Sequence, residues 1–205
     1  MEVDTDLLRN IGDFVTGKKY SFESYIELTT ALVAAHSTTG LEKTPARIDA
    51  TKLNLQRMNR VNKTMQLSPE WDTISAAGKH LHWAVISEPW CGDGSQIVPA
   101  INKVAEKLGI PIDILLRDEN LALTDEFPFR HTRSIPLLIC YDDVTGQILG
   151  HWGPRPIEAQ QLVDDAKAAG IPHDDYMISL QNWYNQNKTV SLQNELFSFV
   201  TDCLR

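Results

Sequence analysis

The sequence predicts an α/β fold in which helices flank a mixed four-stranded sheet. The first observation is that short apolar runs, typical of strands, alternate with longer amphipathic segments over residues 71–170. The second observation is how these runs are joined. An amphipathic segment between the first two runs implies a right-handed parallel crossover, and a short turn between the last two implies an antiparallel hairpin.

Composition and charge argue against several classes of partner and cellular location. The chain has 205 residues, of which 42% are hydrophobic and 22% charged, with a formal net charge of −8. This charge argues against nucleic-acid or anionic-membrane partners, which favour Lys and Arg. No apolar stretch approaches the about 18 residues of a membrane helix, and the acidic start Met-Glu-Val-Asp is unlike a signal peptide. Three widely spaced cysteines do not form a disulfide framework, so we expect a cytoplasmic protein.

The first 70 residues are predicted to form a helical extension. Apolar residues recur near a 3.6-residue period over Ser21–His36. A second helix begins at Thr44-Pro45, with Pro at its first position, and runs to Thr64. Ser68 is expected to cap a short helix over Trp71–Ala77.

The central region, residues 71–170, is predicted to be the α/β domain. Its elements follow in the order β-α-β-α-β-β-α, with predicted bounds Leu81–Ile86, Gln96–Leu108, Pro111–Leu116, Asn120–Phe127, Pro136–Tyr141, Gln147–His151 and Pro156–Ala169.

Residues 171–205 are predicted to form a second helical extension. One helix spans about Asp174–Asn187, and another begins at Ser191, a good N-cap residue. The two extensions could cover a sheet edge, build a substrate groove or form the face of a homodimer.

The segment whose residues could take part in a reaction is Trp90-Cys91-Gly92-Asp93, which lies between a predicted strand and an amphipathic helix. A thiolate at a helix N-terminus faces unpaired N–H groups and the positive end of the helix dipole. Both features favour the charged form. We therefore expect the pKa of Cys91 to lie below the ordinary thiol value of about 8.5.

These residues resemble the active-site turn of the thioredoxin family. About 40 residues later, Arg133-Ser134-Ile135-Pro136 resembles the family segment in which a cis proline packs against the active-site cysteine. The resemblance covers about residues 71–170 and implies a thioredoxin-like fold. More narrowly, the run from Leu115 to Pro156 resembles a bacterial thioredoxin-like subgroup with extra N-terminal helices.

Two departures from the family pattern change the expected chemistry. Thioredoxins use Cys-x-x-Cys, but here Gly94 occupies the position of the second, resolving cysteine. The buried acid that the family carries six residues before its nucleophile is replaced by Val85. Cys140 lies in a predicted strand, where we expect it to be buried, and Cys203 lies near the C-terminus. A two-thiol reduction is therefore excluded, and monothiol chemistry remains.

The sequence thus favours a monothiol thiol–disulfide oxidoreductase. Cys91 is the expected nucleophile toward a mixed disulfide or oxidised thiol, carried by a protein or by a small molecule. The predicted groove consists of Trp90, Gly92, Asp93, Gly94, Ile135 and Pro136. The main alternative is a non-catalytic binding module with a relic thiol, and a peroxidase-like activity is a second one. No cofactor is expected, and no metal, because His80 and His82 have no further ligands at suitable spacing.

Several side chains near the thiol have more than one interpretation. Asp93 could act as a local base, could raise the pKa of the thiol through its charge, or could simply favour the first turn of a helix. Trp90 could form a flat wall beside the sulfur or be an ordinary packed aromatic. Glu88 and Arg133 could line the groove, although solvated charges are the favoured interpretation.

Overall fold

The computed structural model describes residues 10–205 and contains a five-stranded mixed sheet. The strands are β1 (Lys19–Tyr20), β2 (Leu81–Ser87), β3 (Ile112–Leu116), β4 (Leu137–Asp142) and β5 (Ile148–Trp152), in the spatial order β1-β3-β2-β4-β5. All four predicted strands are present. β2 and β3 are parallel, as the crossover predicts, and β4 and β5 form the predicted antiparallel hairpin.

Within residues 10–205, seven α-helices surround the sheet: α1 (Phe22–Ala34), α2 (Pro45–Thr64), α3 (Gly94–Leu108), α4 (Leu121–Asp125), α5 (Ile157–Ala168), α6 (His173–Asn187) and α7 (Val190–Cys203). They match the predicted helices closely. Local signals account for this agreement: Pro45 opens α2, and the Thr44 side chain accepts a hydrogen bond from the Arg47 N–H. None of these helices combines the length and apolarity needed to cross a bilayer, a finding that covers residues 10–205.

The strand β1 is an addition to the predicted sheet. Its two residues pair antiparallel with β3, so that Lys19 lies opposite Leu115 and Tyr20 opposite Ile114. Two residues are too few to show the alternation that identifies a strand. The predicted count of four strands was therefore one short, because this strand is formed by a long-range pairing.

Two predicted helix starts differ in the structure. Ser68 is the N-cap residue, as predicted, but its side chain makes no capping bond, and the short helix is a 3₁₀ helix over Pro69–Thr73 instead of the predicted Trp71–Ala77. Ser191 lies inside α7, which begins at Val190. The Ser191 hydroxyl instead donates to Glu158 at 2.8 Å. A serine can satisfy its hydroxyl through tertiary contacts as well as through a cap, and sequence does not distinguish the two cases.

The central strand β2 is buried on both faces. Trp83 and Val85 belong to the larger apolar cluster, which α1, α2, α3 and α7 cover. Ala84 and Ile86 point into a second cluster on the opposite face, which also contains Cys91. The Trp90–Cys91 turn therefore directly follows the carboxyl end of a rigid, fully packed strand.

A buried glutamine joins the C-terminal extension to the segment before β2. The Gln193 Oε1 on α7 accepts hydrogen bonds from the Ser68 N–H at 2.9 Å and from Trp71 Nε1 at 3.1 Å. Its Nε2 donates to the Gln66 carbonyl at 3.2 Å. Trp71 is itself fully buried, so no water can replace this partner. The predicted domain boundaries at residues 70 and 171 stay a prediction.

We expect Gln193→Ala to lower the free energy of unfolding by about 2–4 kcal/mol, because it leaves buried donors on Ser68 and Trp71 without an acceptor. Urea denaturation followed by circular dichroism measures the change. Gln161→Ala on exposed α5 surface is the matched control, with an expected change below about 0.5 kcal/mol. Equal effects of the two substitutions would contradict this account of Gln193.

Candidate functional site

The thiol of Cys91 lies between the start of α3 and the loop before β4. Its sulfur accepts a hydrogen bond from the Gly94 N–H at 3.3 Å and donates one to the Ile135 carbonyl at 3.4 Å. The Ile135–Pro136 peptide bond is cis, as predicted. A helix-terminal N–H thus reaches the sulfur, and the two segments that the sequence singled out meet at this atom.

The expected fall in the pKa of Cys91 was wrong. The residue is only 7% exposed. Burial, and to a smaller extent the negative charge of Asp93, raise the pKa of its thiol to about 12. The Gly94 N–H and the Arg155 guanidinium act in the opposite direction but do not compensate. Removal from water penalises the thiolate more than one helix-terminal N–H stabilises it.

A cavity of about 420 Å³ opens at Cys91. Of the predicted groove residues, Trp90, Gly92 and Ile135 line it together with the thiol. Asp93, Gly94 and Pro136 are buried and lie behind its surface. The remaining walls are polar, contributed by Arg117, Thr132, Arg133, Ser134 and Arg155.

The Trp90 ring is held between two guanidinium groups. Arg47 of α2 lies 4.5 Å from the ring centroid, and Arg117, which follows β3, lies 4.7 Å from it. Cations over an aromatic face are attracted by its negative π density. Trp90 is therefore a fixed wall beside the thiol, which combines both interpretations that the sequence left open.

The Asp93 carboxylate is fully engaged by side chains from distant parts of the chain. Its Oδ2 accepts a hydrogen bond from Arg155 Nε at 3.1 Å, and its Oδ1 accepts one from the Tyr184 hydroxyl at 2.7 Å. An acid with both oxygens occupied is poorly placed to take a proton from the thiol. Of the three interpretations, the structure supports the second, in which its charge raises the pKa of Cys91.

Glu88 is buried rather than solvated, contrary to the favoured interpretation. Its carboxylate accepts hydrogen bonds from the Thr39 hydroxyl and from the Asp118 N–H, the latter at 3.0 Å. Burial raises its pKa above the ordinary value, while these donors oppose the rise. Its backbone carbonyl accepts the Cys91 N–H at 2.9 Å. Glu88 thus stabilises the turn that carries the thiol. Arg133, by contrast, pairs with Asp125 and is half-exposed at the groove.

The position of the missing second cysteine is closely packed. A Cβ placed on Gly94 would lie 3.4 Å from the Cys91 sulfur and would clash with the Ser87 hydroxyl. The other two cysteines lie away from this position: Cys140 is buried, as expected, and the Cys203 thiol contacts it in the apolar cluster on the opposite face of the sheet. No second thiol is therefore available to resolve a disulfide on Cys91 within the chain.

Sequence reasoning missed the side chains that contact the Cys91 turn from distant positions in the sequence. Arg155 comes from the loop after β5, Tyr184 from α6 and Arg47 from α2. Only Arg155 had a signal, since it lies in the run that resembles the bacterial subgroup. Tyr184 gives no local signal, because the partner of its hydroxyl, Asp93, lies 91 positions away in the sequence. Residues 10–205 contain no group of three side chains placed to hold a metal ion.

We expect Gly94→Ala to destabilise the fold by about 1–3 kcal/mol, since the added methyl overlaps the Ser87 hydroxyl in a packed region. Ser87→Ala removes that hydroxyl, so the cost of Gly94→Ala should fall well below its original value in this background. Urea denaturation of the four proteins in the cycle measures the coupling. Additive effects would show that the two residues are not in contact.

Alkylation of Cys91 by iodoacetamide should accelerate about tenfold per pH unit from pH 7 to 10, without a plateau, because only the thiolate reacts. At neutral pH it should be roughly a hundredfold slower than a free thiol, since the smaller thiolate fraction is partly offset by greater nucleophilicity. Peptide mass spectrometry assigns the adduct to Cys91.

Two substitutions should move this pH profile in opposite directions. Asp93→Asn removes the charge that raises the pKa and should shift the curve to lower pH, whereas Arg155→Gln removes a favourable charge and should shift it to higher pH. A wild-type plateau below pH 9, or shifts of the same sign, would contradict the electrostatics described above.

Comparison with known proteins gives one family match and two similar structures. A family model described as Thioredoxin matches residues 41–167. No curated protein sequence matches the chain. Two crystal structures share 16% identity with it. An HIV epitope scaffold has a TM-score of 0.42 and covers 86% of this chain and 98% of its own. A protein of unknown function from Pseudomonas aeruginosa has a TM-score of 0.35 and covers 90% and 96%. The family match spans more than half of the chain, including the Cys91 turn and the Ile135–Pro136 peptide, so this protein belongs to the thioredoxin family.

Proposed function

We propose that this protein is a monothiol thiol–disulfide oxidoreductase that uses Cys91. The observation that carries the proposal is the placement of one sulfur against both the Gly94 N–H and the Ile135 carbonyl, at a groove open to solvent. The amide can stabilise a thiolate as it forms, and the adjacent carbonyl belongs to a backbone segment with which a substrate chain can pair.

The reaction consists of two thiol exchanges and needs no external oxidant. In the first, the Cys91 thiolate attacks a mixed disulfide R–S–S–R′, forming Cys91–S–S–R and releasing R′–S⁻, which takes up the proton that Cys91 lost. In the second, a small thiol R″–SH attacks the R sulfur. Its proton returns to Cys91, and R–S–S–R″ is released. The external thiol takes the role of the cysteine that Gly94 replaces.

The raised pKa of Cys91 sets the kinetics of this scheme. At neutral pH the thiolate is scarce, so attack is slow, but each thiolate is a stronger nucleophile than one of ordinary pKa. A thiolate of high pKa is also a poor leaving group. The mixed disulfide on Cys91 is therefore long-lived, and the second exchange limits turnover at neutral pH.

The experiment is removal of glutathione from a glutathionylated peptide, with reduced glutathione as the recycling thiol. We expect turnover that depends on Cys91, rises between pH 7 and 9, and is accompanied by a Cys91–glutathione adduct in mass spectrometry. Cys91→Ser should abolish both, while Cys203→Ser, whose thiol lies on the other side of the sheet, should retain both. Insulin reduction should not exceed the dithiothreitol background.

Absence of both turnover and adduct in the wild-type protein would overturn the oxidoreductase proposal. A measurable insulin reductase activity would instead contradict the monothiol mechanism.

A non-catalytic peptide-binding module is the second candidate. The observation in its favour is that the buried thiol is protonated at neutral pH and already donates to the Ile135 carbonyl. Under this alternative, Cys91→Ala should bind peptide ligands as tightly as the wild-type protein, with no adduct in either. Isothermal titration with a peptide library hit distinguishes the two candidates.

A further inference from the structure

A second cavity adjoins the thiol groove on the side of the C-terminal extension. Its volume is about 370 Å³, and it lies between α2, the Cys91–Asp93 turn and α6. Gly92 lines both cavities. A ligand with its sulfur at Cys91 could therefore continue past Gly92 into this space. We call this space the Arg57 pocket, and its walls include Arg57, Gly92, Asp93, Met177, Gln181 and Tyr184.

The Arg57 side chain is held close to the active-site turn. Its Nη1 donates to the Asn54 Oδ1 at 3.1 Å. Asn54 is buried, and its Nδ2 donates in turn to the Pro89 carbonyl at 3.0 Å. One asparagine thus connects the guanidinium to the residue two positions before Cys91. This arrangement fixes the charge beside the turn rather than leaving it on a mobile side chain.

Arg57 lines this pocket without a carboxylate partner in the described part of the chain, whereas the arginines that line the thiol groove or hold the Trp90 ring each have one. These four arginines form ion pairs, namely Arg47 with Glu42, Arg117 with Asp118, Arg133 with Asp125 and Arg155 with Asp93. Over residues 10–205, no acidic side chain pairs with Arg57. A half-buried cation without a counter-ion is costly, so the free energy that an incoming anion can recover is large.

The remaining groups of the pocket are compatible with an anion. The one acid in its wall, Asp93, forms an ion pair with Arg155 and accepts a hydrogen bond from the Tyr184 hydroxyl. Arg60, one turn further along α2, adds positive charge and lowers the pKa of Arg57 together with burial, the larger effect. Arg57 nevertheless stays charged, because a guanidinium does not deprotonate in proteins. Met177, Leu180 and Gln181 offer apolar and amide surface for the body of a ligand.

We propose that the Arg57 pocket binds the carboxylate of a small anionic thiol, or of its mixed disulfide, while the ligand sulfur lies at Cys91. This inference rests on the proposed function and names its substrate class. It requires a ligand with a sulfur at one end, a carboxylate at the other and a short body that passes over Gly92. Arginine suits this role because its planar fork of donors matches a carboxylate.

The kinetic test uses 2-pyridyl disulfides with carboxyalkyl chains of several lengths, each matched by a neutral carbamoylalkyl analogue. Release of 2-thiopyridone reports attack by Cys91. Arg57→Gln should lower the rate constant for the best carboxylate probe about tenfold or more, the expected cost of a lost charge-assisted hydrogen bond. The matched amide probe should change less than about twofold, and Arg57→Lys should restore part of the carboxylate preference.

Lys63→Gln is the matched control, since Lys63 is an exposed cation on the same helix and does not line the pocket. It should leave the preference for carboxylate over amide within about twofold of the wild-type value. Equal losses for both probes in Arg57→Gln, or no loss for either, would overturn the inference.

Binding without chemistry separates this inference from the proposed function. In the Cys91→Ser protein, isothermal titration with the thioether analogue of the best carboxylate probe should show about tenfold weaker binding when Arg57→Gln is added. If that difference is found but the wild-type protein forms no adduct, carboxylate binding in the Arg57 pocket is supported and the oxidoreductase proposal is overturned. If adducts form but binding does not depend on Arg57, only the pocket is overturned.

Discussion

The Cys91 sulfur is removed from water, and this constraint shapes the whole site. The Gly94 N–H in the turn and the Ile135 carbonyl in the loop before β4 are its hydrogen-bond partners, one suited to a thiolate and the other to a thiol. Desolvation decides between them and keeps the proton on sulfur, with a pKa of about 12. The same burial keeps the thiolate scarce at neutral pH. Under the proposed mechanism, this favours a long-lived mixed disulfide over rapid turnover.

Charge around the sulfur is arranged in pairs. Asp93 raises the pKa of the thiol and Arg155 lowers it, yet the two form one ion pair, so their opposing effects partly cancel. Farther out, Arg47 and Arg117 each have an acidic partner while holding the Trp90 ring between them. The pairing does not extend to Arg57, which is half-buried and has no carboxylate partner among the residues described, although the chain has a net charge of −8.

The C-terminal extension takes part in the site instead of only covering the sheet. Tyr184 of α6 donates to Asp93, and the same helix forms one wall of the Arg57 pocket. At the opposite end of the extension, α7 anchors the segment before β2 through Gln193. A perturbation of α6 would therefore reach the Cys91 turn through the Tyr184–Asp93 hydrogen bond, whereas one of α7 would reach the segment before β2 through Gln193.

The sequence by itself determined the elements and the position of the thiol. Three elements, α2, β2 and α3, lie close to their predicted bounds because they have local signals: helical periodicity, Pro45 and the apolar run that begins at Leu81. The Trp90–Gly94 turn together with Pro136 also identified where a thioredoxin site would lie. Tertiary structure alone decided the pairing of β1, the burial of Glu88, the contact from Tyr184 and the direction in which the pKa of Cys91 moves. Each of these depends on which distant residues exclude water from a group or bond to it. Sequence periodicity does not indicate such neighbours, because tens of residues separate them from the turn and only packing brings them together.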